Sequence, residues 1–460
     1  MATPLTTPAP PPEVAPPTRP ERHPPGLYLV SGVEMWERFS YYGMRAFLVL
    51  FLTSTAGGFG WTKQKAGILY GIYTGAAYMT GLLGGWLSDR FLGTHRAIIV
   101  GSVLIATGHF TLAAPGQATF FLGLIFIILG TGFHKPIIST MVGMLYRQGD
   151  PRRDGAFTIY YMGINLGAFL GPIICGWLAK DQRFGWHWGF AAAGVGMVLG
   201  TTTYIVFKRR FLGHLGEVPA AREKRDDAPP PGQPLTSDDR QRIGAILIFA
   251  IFNIFFWCAY EQAGSSMNFF ADERTNRWLF GHEIPTPWFQ SINSFVIITM
   301  APLFSALWLW LARRGREPST PAKFVWGLVL VSVGFAVLVV AARLSDGGQR
   351  VSPLWITVAY CFHTWGELCL SPVGLSMVTK LAPPRMASFL MGVWWFSFFL
   401  SDFIAGMLSS IVEKVERGEL FHLLGGQADF FLIFVIVPLI GAAVLAMLTP
   451  MLKNLMHGRA

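Results

Sequence analysis

Apolar runs long enough to cross a bilayer recur twelve times along the chain, separated by short polar connections. A helix needs about 20 residues to span roughly 30 Å of hydrocarbon. Stretches of that kind lie at 27–53, 66–88, 96–114, 118–146, 156–179, 186–207, 243–270, 286–312, 322–342, 353–379, 385–411 and 428–452. Several contain Gly or Pro, which membrane helices tolerate. The pattern predicts an all-α membrane protein with twelve transmembrane helices. A charged, Pro-rich segment, 208–242, interrupts the series after the sixth run and is too short and too polar to hold a further helical hairpin. It predicts two six-helix bundles, 27–207 and 243–452, joined by a linker. The Pro-rich residues 1–26 are expected to be a disordered tail without the apolar core of a signal peptide, and 453–460 a short tail.

The first run carries a break in its own pattern. Residues 34–45 read EMWERFSYYGMR, immediately before AFLVLFL. Glu34, Glu37, Arg38, Tyr41, Tyr42 and Arg45 follow i, i+3, i+4, i+7, i+8, i+11, which is one face of a 3.6-residue period. A charge at the bilayer centre costs about 2.5–3.5 kcal/mol even on the lenient insertion scale, so such groups face a bundle interior or a water-filled cavity and need partners. Lys135, Glu261 and Glu367 sit near the middle of other apolar runs in both halves. Static ion pairing is the alternative use, but so many buried charges are a costly way to join helices. A cavity between the halves, lined by groups that take up and release protons as partners move, accounts for the set.

Composition agrees. The chain of 460 residues is 52% hydrophobic and 13% charged, against about 25% charged in soluble proteins. The net charge of +10 does not call for nucleic acid. With both termini in the cytoplasm, 23 of the 36 Lys and Arg residues fall in the tails and inner loops, 10 in outer loops and three within helices, as the positive-inside rule expects. Cys175, Cys258, Cys361 and Cys369 lie in apolar runs and read as buried thiols. No HExxH, nucleophile-elbow or P-loop pattern is present, so an enzyme or a sensor is disfavoured. No metal and no cofactor is expected.

Five segments resemble the proton-dependent oligopeptide transporters, a family of the major facilitator superfamily: EMWERFSYYG (34–43), GGWLSDRFLGTHR (84–96), YYMGINLGAFLGP (160–172), FWCAYEQAGSS (256–266) and ELCLSPVGLSMVTKLAP (367–383). The resemblance runs from about residue 27 to 411. It implies a major facilitator fold and proton-coupled symport of di- and tripeptides by alternating access, with protons as the coupling ion and a monomer in a bacterial cytoplasmic membrane. The same scaffold carrying nitrate, a modified amino acid or a peptide-like drug is the alternative; an anion carrier, however, has no need of Glu367.

By match to the family pattern, Glu34, Glu37 and Arg38 would couple proton binding, with Glu261 a proton-responsive partner of Arg45. Arg45 and Lys135 would hold the peptide carboxylate, and Glu367 the amino end. Asn165 and Asn293 would bind the peptide backbone, or else join helices. Tyr42, Tyr78, Trp257 and Trp394 or Trp395 would line side-chain pockets, or else be packing aromatics. Lys135 with Glu367 would close the inner gate, and Asp89 and Arg90 would govern conformational switching. His109, His134 and His363 read as structural, His363 being the one placed a turn before Glu367 to tune it. Three features depart from the family pattern. The two extra helices common in bacterial members are missing from 208–242, Ile137 follows Lys135-Pro136 where an Asn is common, and Asp402 stands where an Asn is usual. Asp402 would either alter proton coupling or be a neutral, hydrogen-bonded acid, with the second reading favoured.

Overall fold

The computed structural model describes residues 22–147, 150, 152–219, 235–383 and 386–457. Its first half forms α1 (Pro25–Thr53), α2 (Lys63–Leu87), α3 (Gly93–Ala113), α4 (Gln117–Met144), α5 (Arg153–Lys180) and α6 (Trp186–Phe211). Its second half forms α7 (Ser237–Tyr260), the short α8 (Ser266–Glu273), α9 (Ser291–Arg313), α10 (Thr320–Ser345), α11 (Pro353–Leu381), α12 (Ala387–Ser409), the short α13 (Val412–Glu416) and α14 (Gln427–Leu455). Apart from α8 and α13, these are twelve helices of 21 to 29 residues among the described residues.

Nine segments qualify as membrane spans by length and hydropathy, one of which, Lys63–Ala113, covers both α2 and α3. The two long helices outside those segments are α1 and α11, which carry Glu34, Glu37 and Glu367.

The helix ends follow local chemistry. Thr62 accepts a hydrogen bond from the Lys65 amide and caps α2. Thr236 and Asp239 form a reciprocal capping box at the start of α7, so that helix begins inside the segment expected to be linker. Helix α6 likewise runs on to Phe211, inside that segment; residues 220–234 of the expected linker and 1–21 of the expected disordered tail lie outside the described residues. Helix α2 meets α3 through a π-helical turn, Ser88–Leu92, and Gly93 at φ 75°.

Helices α1, α5 and α6 pack together, as do α3, α4 and α6, while α10 packs on α11 and α14. The second bundle has an aromatic core around Phe249, Phe256, Phe324, Phe335 and Phe431. The first has one cluster around Phe47, Phe51 and Phe190, and another around Leu27, Ile98 and Tyr204. Two seams join the bundles, α2 on α12 and α5 on α9. Small residues set the first seam. A Cβ on Gly71 would meet Gly406 Cα at 2.6 Å and the Asp402 carbonyl at 2.8 Å, and one on Gly67 would meet Ser409 Cβ at 3.0 Å.

At one end the bundles are tied by ion pairs and by side-chain bonds to backbone, with Phe269 packed into the first-bundle cluster. Lys63 Nζ lies 2.7 Å from Glu273 and Lys180 Nζ 2.9 Å from Asp272. Asn268 donates to the Ala46 carbonyl, Ser291 to Phe169, and the Trp288 indole to Ile173. This is the end of the α1–α2 and α5–α6 loops. It also carries a small hairpin, β1 (Trp278–Leu279) and β2 (His282–Glu283). The chain enters and leaves at the opposite end, where α2 and α12 touch through the stacked rings of Tyr78, Trp395 and Phe398.

Candidate functional site between the bundles

Helix α1 brings its polar stripe inward. Glu34, Glu37, Arg38 and Arg45 are each no more than 6% exposed. Arg38 Nε lies 2.7 Å from Glu34 Oε1 and 2.8 Å from Glu37 Oε2, so one guanidinium serves two carboxylates. Glu34 Oε2 faces His134 Nδ1 of α4 at 3.9 Å. Donor atoms of Glu34, Glu37 and His134 lie within 4.8 Å of one another; the cation touching both carboxylates is Arg38. Glu37 has no hydrogen-bond donor for either oxygen among the described residues. Glu37 is thus a buried carboxylate with one cation contact and unfilled lone pairs.

Arg45 crosses between the bundles. Its Nη2 lies 2.6 Å from Glu261 Oε2, and its Nε donates to Tyr70 Oη at 2.6 Å. The Tyr70 hydroxyl is also 3.3 Å from that carboxylate. Glu261 opens a 3₁₀ turn, Glu261–Gly264, where the helix begun as α7 breaks before α8. The break places a charged side chain and loosened backbone at bundle depth, a device of transporter helices. Gly264 is required there, because a Cβ would stand 1.8 Å from the Tyr70 hydroxyl.

The second bundle presents Glu367 from α11. Asn293 of α9 donates to Glu367 Oε2 at 2.9 Å and to Thr364 at 3.1 Å. Asn293 therefore orients the carboxylate, a pairing the sequence did not reveal. Asn165 is 4% exposed and donates to the Tyr161 carbonyl one turn back. Around Tyr42 gather Arg38, Arg45, Glu261 and Glu367, and the Arg45 guanidinium lies 5.6 Å from its ring centre. Lys135 Nζ sits 3.5 Å over the Tyr78 ring, a cation–π contact. Tyr78 stacks on Trp395 and Phe398, and Trp257 packs on Phe398 at 5.0 Å.

Two expectations need correction, those for Trp394 and His363. Trp394 does not line this space: it is 2% exposed, packed on Phe324 and over Gly374 inside the second bundle. One residue on, Trp395 is 37% exposed and faces α2, because adjacent helical positions point about 100° apart. In this conformation Lys135 and Glu367 are apart, each with another partner. His363 packs on Phe335 at 4.5 Å and against Gly334, away from any contact with Glu367. His109 is fully buried in α3. Asp89 and Arg90 are exposed in the turn between α2 and α3, where Arg90 lies 5.7 Å from the Trp86 ring, apart from the central charges.

Sequence reasoning missed Tyr70, and also the partners of Lys63 and Lys180. The signal for Tyr70 was its place in α2 one turn before Thr74, but nothing in the sequence aims it at Arg45.

Residues 95–215 and 233–423 match the family model described as the POT family. The chain belongs to the POT family. It is 37% identical, over 94% of its length and 95% of the relative's, to the peptide transporter YePEPT of Yersinia enterocolitica. It is 32% identical, over 87% of its length and 92% of the relative's, to a di-/tripeptide transporter of Lactococcus lactis subsp. cremoris. Among solved structures, a peptide transporter POT in complex with sulfate matches with a TM-score of 0.85 at 32% identity, covering 95% of this chain and 96% of that one. A POT family transporter in complex with 5-aminolevulinic acid matches with a TM-score of 0.85 at 30% identity, covering 94% and 97%. This POT family member therefore has the two-bundle major facilitator fold and is a multi-pass membrane transporter.

Proposed function

We propose that the protein is a proton-coupled symporter of di- and tripeptides, working by alternating access in a bacterial cytoplasmic membrane with both termini inside. It acts as a monomer and needs no cofactor beyond the coupling proton. The observation that carries this reading is the division of charge: Arg45 and Lys135 come from the first bundle and Glu367 from the second, around one inter-bundle space. A zwitterionic peptide has one charge of each sign. Desolvating both is offset only when both are paired, and a peptide that bridges the bundles couples its binding to their closure.

In the conformation described, the loop end is tied shut and Arg45 is held by Glu261. That end is the outer one in the proposed orientation. A proton on Glu261 removes the ion pair and frees Arg45 for the peptide carboxylate. Lys135 lies over Tyr78, ready to share that carboxylate. Glu367, oriented by Asn293, receives the amino group. The Glu34–Glu37–Arg38 cluster at the base of α1 senses the second protonation change, and Tyr42, Tyr78, Trp257 and Trp395 give side chains an apolar wall. Once peptide and proton have gone, Lys135 and Glu367 pair and close the inner end. The relative bound to 5-aminolevulinic acid supports a second reading in which small peptide-like amino acids with separated charged ends are also carried.

The test is proton movement in proteoliposomes loaded with a pH-reporting dye. External dialanine should acidify the lumen, while dialanine amide and N-acetyl-dialanine, each lacking one charge, should not. No acidification by dialanine, from protein shown to be folded, would contradict peptide symport.

A further inference from the structure

Asp402 stands on α12 in the row that meets α2, together with Trp395, Phe399, Gly406 and Ser409. Its side chain is 2% exposed, and among the described residues no cation lies within ion-pair distance. The Asp402 backbone carbonyl is part of the tight Gly71 contact. A carboxylate buried without a cation is costly, whereas the neutral acid is not.

Its surroundings explain why no cation comes to it. Arg45 of α1 is already committed to Glu261 and Tyr70, and Lys135 of α4 to the Tyr78 ring. The Thr74 hydroxyl of α2 reaches the Asp402 carboxyl and also donates to the Tyr70 carbonyl at 2.9 Å; a hydroxyl has one hydrogen to give, so toward a protonated Asp402 it can act as acceptor. The remaining groups that face Asp402 are Tyr41, Tyr70, Tyr78, Cys258 and the like-charged Glu261. Burial and the like charge of Glu261 favour the protonated acid, while Arg45, Lys135 and Thr74 pull the other way from outside ion-pair distance or with other partners of their own.

We propose that Asp402 is a further proton-carrying acid of the transport cycle, beyond Glu261 and the Glu34–Glu37 cluster, loaded when the α2–α12 seam parts at its outer end and sealed in that seam when it closes. The proposal rests on the symport reading above. Its carboxylate takes the proton from outer water. The proton leaves to water beside Lys135 after the peptide carboxylate has departed and left that ammonium unpaired. Each cycle then moves one proton more than the same cycle without Asp402.

The number of protons per peptide decides the matter. Proteoliposomes are held at zero voltage with potassium and valinomycin under a one-unit pH gradient, and the limiting ratio of inside to outside dialanine is measured. For n protons that ratio is 10 to the power n. Asp402→Asn keeps the shape and neutrality of the protonated acid, so it should retain dialanine counterflow but accumulate about tenfold less than the wild type, a change of about 1.4 kcal/mol. Equal ratios in the two proteins would overturn the proposal. Loss of counterflow in both Asp402→Asn and Asp402→Ser would also overturn it, by showing a structural role. Absence of accumulation by the wild type would overturn the symport reading itself and this proposal with it.

Discussion

At the scale of single residues, the central charges each have a named partner, which on the proposed reading a proton or a peptide displaces. Glu37 meets Arg38 at 2.8 Å and has no other hydrogen-bond donor among the described residues. Glu37→Gln should abolish proton-driven accumulation of dialanine while leaving counterflow at least partly intact; accumulation at the wild-type level would remove Glu37 from the coupling role. Asn293 holds Glu367 at 2.9 Å. Asn293→Ala leaves that carboxylate without its orienting donor, and a hydrogen bond to a charged group is worth about 1.5–3 kcal/mol. Dialanine affinity should fall by roughly tenfold or more, measured by calorimetry in detergent; an unchanged affinity would reduce Asn293 to a link between helices. The polar stripe of α1 was legible because a helical period sorts residues onto faces. The pairs Arg45–Tyr70 and Asn293–Glu367 were not, because they join residues 25 and 74 positions apart, and only the packing of the helices sets their distance. Trp394 and Trp395 could not be told apart by type; their helical phase relative to α2 separates them.

At the scale of elements, the apolar runs located eleven of the twelve long helices to within about five residues, while the seventh begins earlier, at Ser237, and ends at Tyr260 inside the expected run 243–270. Membrane helices are read well from sequence because lipid forces every backbone group into the helix. What the runs concealed was the interruption at Glu261–Gly264, since the 3₁₀ turn and the flanking helices share one apolar stretch. The glycine seam was also hidden: Gly67, Gly71 and Gly75 read as generic small residues until α12 is packed against them. Gly71→Val places a branched side chain where even a Cβ would stand 2.6 Å from Gly406. The outer end should then fail to close. Cysteines placed at the outer loops should become more reactive to a membrane-impermeant thiol reagent, and uptake should be lost. Unchanged outer reactivity would mean that the seam yields elsewhere.

At the scale of the molecule, two six-helix bundles meet through two seams and through ion pairs at the end of the α1–α2 loop, the outer end in the proposed orientation. Lys63–Glu273 and Lys180–Asp272 are partly exposed, so each contributes only about 0–1 kcal/mol. That is enough to shift a conformational balance several-fold without threatening the fold. Lys180→Asp should move the population toward the outer-open form and slow the return of the empty carrier. Adding Asp272→Lys should restore the rate in part, as read from dialanine uptake; failure of the double variant to recover would separate the pair from gating. The central claim is that a proton gradient drives a peptide across this framework. It is tested most directly by uptake of labelled dialanine into proteoliposomes with and without an inward proton gradient. The account predicts accumulation above the external concentration only when the gradient is present, reversed when it is collapsed. Equilibration alone under both conditions, or no entry at all by folded and inserted protein, would contradict it.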